Sequence, residues 1–396
     1  MKPHVLIAGA GIGGLTAALA LLDRGFRVSV FERVGELKEI GAGFHCTPNG
    51  SRVLYGLGLG GAIDKVAVRL ADRDIRLWNT GRVWKLAGHG SDSEKRYGAP
   101  YLCFHRGDLH SILVEAVRRK QPDAIRVGAK VTGFTQDSNG VNLQVEGFPE
   151  IKGDALIGAD GVHSVVRKTL FGQDNARFTG EIAWRGLIPI SHLPERMQGM
   201  VTSNWIGPHG SVSVYPVRAG ELINFVGLVE RDDWRVESWI EQGETDECLR
   251  DFRGWHEDIH LMIRKIEQPF KWALFRREPM PQWSKGRATL LGDACHAMVP
   301  YLGQGANSAI EDACVLARCL DDDKDVAGAL VRYEAARRPR ATELVIQSAQ
   351  QSKRIHDPVL ADPAKALQYV ETNWAPEKVK GRYDWIFDYD AARVAI

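Results

Sequence analysis

The chain has 396 residues, 44% of them hydrophobic and 26% charged, which suits a globular protein of two or three domains. Its formal net charge of +1 argues against a nucleic-acid partner and against an acidic solvating tail. No stretch is apolar for long enough to span a bilayer, and the six cysteines, none in a Cys-x-x-Cys pair, fit reduced cytosolic thiols better than a disulfide framework. The expected location is the cytoplasm, with no membrane and no nucleic acid as partner.

The apolar start "HVLIAGAGIGGLTAALALL" is interrupted by glycines and followed at once by a second strand pattern, unlike an export signal. Residues 5–8 read as a buried parallel strand. Gly9-Ala10-Gly11-Ile12-Gly13-Gly14 is a G-x-G-x-x-G, followed by a helical pattern, a capping Gly25 and a strand, "RVSVFE", that ends at Glu32. This is the βαβ fingerprint of a dinucleotide site. Gly9 permits the tight turn, Gly11 lets a pyrophosphate approach the backbone, and Gly14 lets helix and strand pack closely. The helix N-terminus offers N–H groups to the phosphates, and Glu32 stands where an acid accepts bonds from ribose hydroxyls. The fingerprint does not distinguish NAD, NADP and FAD. A second glycine-rich stretch, "GLGLGG" at 56–61, follows a helical pattern and reads as a turn between helices.

Residues 155–159 form another buried strand pattern, followed by Asp160-Gly161 and a helix carrying Ser164 and Arg167. "SVSVYPV" and "LINFVGLV" alternate as antiparallel strands do. "HEDIH", 256–260, fits the H-E-x-x-H zinc pattern on a predicted helix that would put both histidines on one face. It has no evident third ligand, and no metal is expected. Residues 288–291 form a strand with Asp293 just beyond its carboxyl end, where open α/β sheets bind ligands. After Gly305, Ala306, Ala309, Ile310, Ala313, Leu316, Ala317 and Leu320 keep helical spacing.

Three motifs in order, 9–14 with Glu32, "GADGVHSVVR" and "GDACHAMVPYLGQGAN", joined by "HRGDLHSIL" at 105–113, make the chain resemble a particular family. It is the single-component, FAD-dependent aromatic hydroxylases of the para-hydroxybenzoate hydroxylase fold, in the salicylate, 3-hydroxybenzoate and 6-hydroxynicotinate monooxygenase branch. The resemblance covers about residues 1–345. It implies an α/β fold: a Rossmann-like FAD-binding domain interleaved with an α+β substrate domain that carries a mainly antiparallel sheet. The expected FAD-binding domain is 1–75, 101–175 and 281–345. The substrate domain is 76–100 and 176–280, and 346–396 is a C-terminal helical segment without a usable motif.

One extended, non-covalent FAD then explains both glycine loops. The first loop takes adenosine and pyrophosphate, and the later one takes the ribityl chain and ring. The implied cofactor residues are Gly9, Gly11, Ile12, Gly13, Gly14, Glu32, Arg33, Val131, Arg106 at the ribityl or phosphate region, Asp160 near cofactor and nicotinamide, and Asp293 on the ribityl chain. Pro300, Gly303, Gly305, Ala306 and Asn307 belong to the loop expected to meet the ring. The implied reaction is hydroxylation of a small phenolic, benzoate or hydroxypyridine substrate with NADH or NADPH and O2, through a flavin hydroperoxide. Decarboxylation and a homodimer are left open. His45 and Tyr215 are the candidate catalytic and substrate-contacting residues, and Tyr301 is a further substrate contact. His45 is the candidate base because an imidazole titrates near neutrality. His209 is a lesser candidate, since Ser211 takes the position where relatives have a histidine. The alternatives are a flavin-dependent halogenase, another FAD oxidoreductase such as an amine oxidase, and a flavin-binding module without turnover. "WRGLIP" at 184–189 has Gly186 where the halogenase motif has its second tryptophan.

Overall fold

The computed structural model describes residues 2–37, 42–86, 90–173, 176–234, 241–322 and 325–396. The first sheet carries the fingerprint. Its strand order is Ser284–Lys285, Ala288–Leu290, Ala155–Gly158, His4–Ala8, Arg27–Phe31, Ile125–Arg126, parallel except for the outermost Ser284–Lys285 pair. The central strand His4–Ala8 is apolar beyond its first residue because both its faces are covered, one by the helix Ile12–Leu22 and the other by the strand Ile151–Gly153, whose Gly153 packs on Leu6. The helices Ile12–Leu22 and Gly305–Asp322 pack against each other, so the two glycine loops open on the same end of the sheet. Gly25 adopts a positive φ of 78° just past the first helix, as its capping role requires. Residues 56–61 turn from the helix Pro48–Gly56 into the short helix Gly60–Ile63.

The second sheet has seven strands among the described residues, ordered Phe270–Arg276, Arg177–Pro189, Leu222–Glu230, Gly210–Val217, Val201–Gly207, Asp72–Leu77, Val83–Lys85. All neighbours are antiparallel except Val201–Gly207 with Asp72–Leu77. Its alternation divides the two faces. Ile182, Trp184, Val212, Ile223 and Phe225 bury one face against the helices Thr245–Asp251 and Glu257–Lys265. The other face, with Arg185, Tyr215 and Asn224, turns toward the first domain. Gly186 lies on the helix-covered face, where a side chain would run into Ile266. The halogenase tryptophan has no room there.

The chain links the domains through a small sheet of Gly43–Cys46, Leu102–His105 and Val68–Arg69. A third sheet, Val131–Gln136, Val141–Val145 and Ile151–Gly153, lies under the first. The long helix Val326–Ile355 continues through the expected boundary at 345/346. The C-terminal helices Pro363–Asn373 and Pro376–Phe387 pack on the second sheet rather than forming a separate unit. All six cysteines are buried and unpaired, and no described helix is long and apolar enough to cross a membrane.

Candidate active site

The first loop is shaped for a bound dinucleotide. Gly9 has a φ of 101° and presses on the carbonyl of Ala159, so a side chain there would strike backbone. A side chain on Gly14 would strike the Gly9 carbonyl, and one on Gly13 would meet Leu291 and Ala309 of the second loop region. Gly11 differs. It stands at the N-cap of the helix that begins at Ile12, where it has no side chain to offer as a cap, and a Cβ there would meet nothing within 4 Å. The open space at the helix N-terminus is where a pyrophosphate would sit. Glu32 Oε2 accepts from Ala10 N at 2.9 Å and Oε1 from Val34 N at 3.1 Å, which fixes the carboxylate at the loop. Arg33 beside it is exposed, and Val131 is buried at the start of its strand.

Asp160 follows its strand directly. Its carboxylate accepts from Ser164 Oγ at 2.5 Å, Val165 N at 2.7 Å and Val166 N at 3.2 Å, holding the turn into the helix Val165–Phe171. It therefore shapes the loop beside Gly9. Arg106 opens the helix Arg106–Lys120, and its N–H donates to Ala42 O at 2.8 Å. Burial, followed by the charge of Arg106, pushes Arg185 down to about 10, which marks two cations close together where the sheets meet.

In the second loop, Asp293 is exposed at the start of a short helix, close to Gly305. Pro300 is exposed, and Gly303 has a left-handed φ of 64° that leads into Gly305 and Ala306 at the start of the long helix. Asn307 braces the protein with its side chain. Its Nδ2 donates to His45 O and Gly303 O, each at 2.8 Å, and its Oδ1 accepts from Thr47 N at 3.1 Å. The expected cofactor contact can come only from its backbone, because the amide is used to tie the His45 strand to the loop.

Behind this loop lies a buried ionic cluster that sequence reading missed. Asp312 accepts from His296 Nε2 at 2.6 Å, Arg337 Nε at 2.8 Å and Gly292 N at 3.1 Å. Glu311 pairs with Arg337 at 2.7 Å and Arg340 at 2.8 Å, and accepts from Asn49 Nδ2 at 2.6 Å. Burial opposes ionisation of both carboxyls, but their partners hold them below their ordinary values: chiefly Arg340 then Arg337 for Glu311, His296 then Arg337 for Asp312. The cluster ties down both the loop at Gly292 and the helix at Asn49, on either side of the expected ring position.

His45 and Tyr215 come together across the two domains. Their ring centroids are 4.0 Å apart, and Tyr101 stands edge-on to His45 at 5.7 Å. The approach depends on Gly43, where a Cβ would press on Tyr215 and Asn224. His45 Nδ1 lies 3.3 Å from Cys103 Sγ, and Cys103 is within reach of Thr202 Oγ1. Burial pushes the Cys103 thiol up, so it stays protonated. Burial, then the charge of Arg73, lowers His45 to about 3. The expectation that this imidazole titrates near neutrality is therefore corrected. It is neutral throughout the ordinary pH range, with one ring nitrogen free to accept a hydrogen bond. Arg73, Tyr101 and Cys103 have no motif around them. Only the arrangement of strands gathers them.

Tyr301 packs edge-on against His356 at 5.3 Å, and burial, reinforced by Glu181, keeps its phenol protonated. His356 was also missed. It reaches back from the end of the long helix, and its Nε2 lies 2.9 Å from Ser211 Oγ. The position that carries a histidine in the resembled branch thus holds a serine bonded to a histidine from elsewhere. His209 is exposed and pairs with Glu230 at 2.7 Å, away from His45. His256 precedes its helix and accepts from Asp258 N at 3.2 Å, while His260 lies 2.7 Å from Phe252 O. The two histidines do not share a helix face as expected, because His256 serves as the N-cap.

The FAD binding domain family matches residues 2–348. The chain is 36% identical over 394 residues to 3-amino-4-hydroxybenzoate 2-monooxygenase of Streptomyces platensis, covering 99% of this chain and 98% of that one. It is 36% identical over 355 residues to 6-hydroxynicotinate 3-monooxygenase of Pseudomonas fluorescens, covering 87% and 89%. Among solved structures, Klebsiella pneumoniae HpxO complexed with FAD and uric acid superposes with a TM-score of 0.84 at 29% identity, covering 97% of each chain.

Proposed function

Because the chain belongs to the FAD binding domain family, we infer that it is an FAD-dependent monooxygenase that hydroxylates a small aromatic compound with NAD(P)H and O2. The relatives' names point to hydroxylated or aminated benzoates and hydroxypyridine carboxylates as the substrate class. The fit to FAD rests on the open cradle at Gly11, the positioned Glu32 and the exposed Asp293 beside the second glycine turn. When bound, FAD supplies the redox and oxygen chemistry, which no side chain can provide. Gly9 to Gly14, Glu32, Arg33 and Val131 would hold its adenosine and pyrophosphate end, Arg106, Asp160 and Asp293 its middle, and Pro300 to Asn307 its ring.

The observation that carries the reading is the His45–Tyr215 pair, 4.0 Å between centroids, against the second glycine loop. A ring hydroxyl is a stronger electron donor when its proton is withdrawn, and an unperturbed phenol ionises near pH 10. In the tautomer with Nδ1–H toward Cys103, Nε2 of neutral His45 accepts a hydrogen bond from that hydroxyl, which draws its proton away without removing it. Tyr215, held protonated by burial, donates to an oxygen of the substrate. Tyr301 packs against the same apolar cluster as Tyr215 and is the residue we assign to selection among ring substituents.

The test is a panel of aromatic acids and phenols scored for NAD(P)H oxidation, O2 uptake and product mass. A product heavier by one oxygen, formed only with FAD present, is expected. Halogen incorporation, oxidation without O2 insertion, or tight flavin binding with no turnover on any member would replace this reading.

A further inference from the structure

The hairpin of Gly210–Val217 and Leu222–Glu230 carries Tyr215 close to its tip. The backbone of that tip is strained. Arg218 and Ala219 have φ of 51° and 50°, and Gly220 follows at 90°. Among the described residues only His209 otherwise combines a side chain with a positive φ. Two such residues in succession suit Asn-Gly, not Arg-Ala, and a backbone of this kind persists only where its surroundings impose it.

The surroundings that impose it lie outside the antiparallel sheet. Ala219 N–H donates to Val66 O at 2.8 Å. Arg218 grips the Asp108 carboxylate with both arms of its fork, Nη2 to Oδ1 at 3.0 Å and Nε to Oδ2 at 3.3 Å. Its Nη2 also lies 3.0 Å from His105 Nδ1. Further down the hairpin, Gly43 N–H donates to Asn224 Oδ1 at 2.8 Å. A two-point pair between half-buried groups is the kind of surface ion pair whose geometry gives it weight.

Asp108 is a firm anchor. It sits in the first turn of the helix Arg106–Lys120, and one turn on His110 Nε2 lies 2.8 Å from Ala10 O, inside the first glycine loop. At the other side of the hairpin Tyr215 packs on His45, whose carbonyl Asn307 holds at the second glycine loop. The hairpin thus reaches from one glycine loop to the other, across the line an extended dinucleotide follows between them.

We propose that the hairpin tip is a latch, closed by the Arg218–Asp108 pair over a bound FAD, that must open for the cofactor to leave, and that the left-handed backbone of Arg218 and Ala219 favours opening. Arg218 and Asp108 are then positioning residues for the cofactor. The latch needs FAD binding alone and is independent of the hydroxylation reading.

The rate of FAD release from diluted holoenzyme, followed by the recovery of flavin fluorescence, tests it. Arg218→Gln and Asp108→Asn should each speed release by about three- to fivefold. The double variant should be no faster than either single one, because both remove the same bond. Ala219→Gly keeps the pair and relieves the backbone, so it should slow release by about twofold or more. Unchanged release in the single variants, or effects that simply multiply in the double one, overturns the proposal. So does a lower melting temperature of the apo variants without faster release, the mark of a role confined to folding. Should the charge variants fail to fold or to hold FAD, Ala219→Gly decides: release as fast as in the wild type or faster overturns it. A protein whose release follows this pattern but which oxygenates no aromatic compound refutes the proposed reaction and leaves the latch standing.

Discussion

The rings of His45 and Tyr215 lie 4.0 Å apart, one from a strand of the linking sheet and the other from the antiparallel sheet. Neither domain holds the pair alone. His45→Gln should therefore leave folding and FAD content intact while slowing hydroxylation by about 10²-fold, the low end of what a positioned acid–base group contributes. Product formed per NAD(P)H consumed should fall, with hydrogen peroxide making up the difference. Unchanged rate and coupling would pass the role to Tyr215 or Tyr301.

The lowered His45 also has a consequence for stability. Its ordinary pKa is 6.5 and its value in the fold about 3, so between these limits the unfolded chain binds a proton that the native chain does not. Its contribution is complete above about pH 6.5 and is lost as pH falls toward 3. At pH 5 the loss is at most about 2 kcal/mol, from ~1.4 kcal/mol per pH unit. Denaturant unfolding of apo wild type and His45→Gln at pH 7 and pH 5 should show the wild type losing more. Equal losses would place the native His45 near its ordinary value.

The glycines of the first loop should separate into two kinds. Gly11→Val places its side chain in open space, so the apo protein should melt close to wild type but purify without FAD. Gly14→Val drives a side chain into the Gly9 carbonyl and should destabilise the fold itself. Thermal melts with flavin absorbance distinguish them. A yellow Gly11→Val protein would remove the pyrophosphate from that position.

Arg337 is fully buried between Glu311 and Asp312. Arg337→Leu removes the cation shared by Glu311 and Asp312 and leaves them only Arg340 and His296, and breaking a buried pair in this way costs about 3–5 kcal/mol. Since Asp312 also holds Gly292 N at 3.1 Å, FAD should dissociate more readily as well. Chemical denaturation and flavin release rates measure both effects. A loss below about 1 kcal/mol would mean the cluster is not what holds the loop.

His256→Ala should retain full activity and lose about 0.5–1 kcal/mol, the value of an N-cap bond. Metal analysis of untagged protein should find no stoichiometric zinc. One zinc per chain, absent from the variant, would reinstate the H-E-x-x-H reading.

Local patterns were legible wherever chemistry depends on adjacent residues. The Gly9–Gly14 turn, the alternation around Tyr215 and the apolar stripe after Gly305 each follow from steric or periodic rules acting over a few positions. His45 and Tyr215 were found through resemblance, and their contact is a matter of long-range packing. Arg73, Cys103 and His356 had no such signal. "DRDIRL" looks like a solvent-facing strand until its pairing with Val201–Gly207 turns Arg73 inward. His256 misled because spacing alone does not show whether a residue lies inside a helix or caps it.

The C-terminal segment is attached in a particular way. Arg52, Arg318 and Arg340 grip it at the carbonyls of Trp385, Ile386, Phe387, Tyr389 and Ala391. Carbonyl groups are common to every residue, so these clasps are indifferent to which side chains the segment carries. Side chains add to the grip: Asp384 pairs with Arg96 at 2.8 Å, and the Arg340 guanidinium lies 3.8 Å from the centre of the Tyr389 ring. The tail is in this sense stitched to the body of the protein through its backbone, so a chain cut before Trp385 loses five stitches at once.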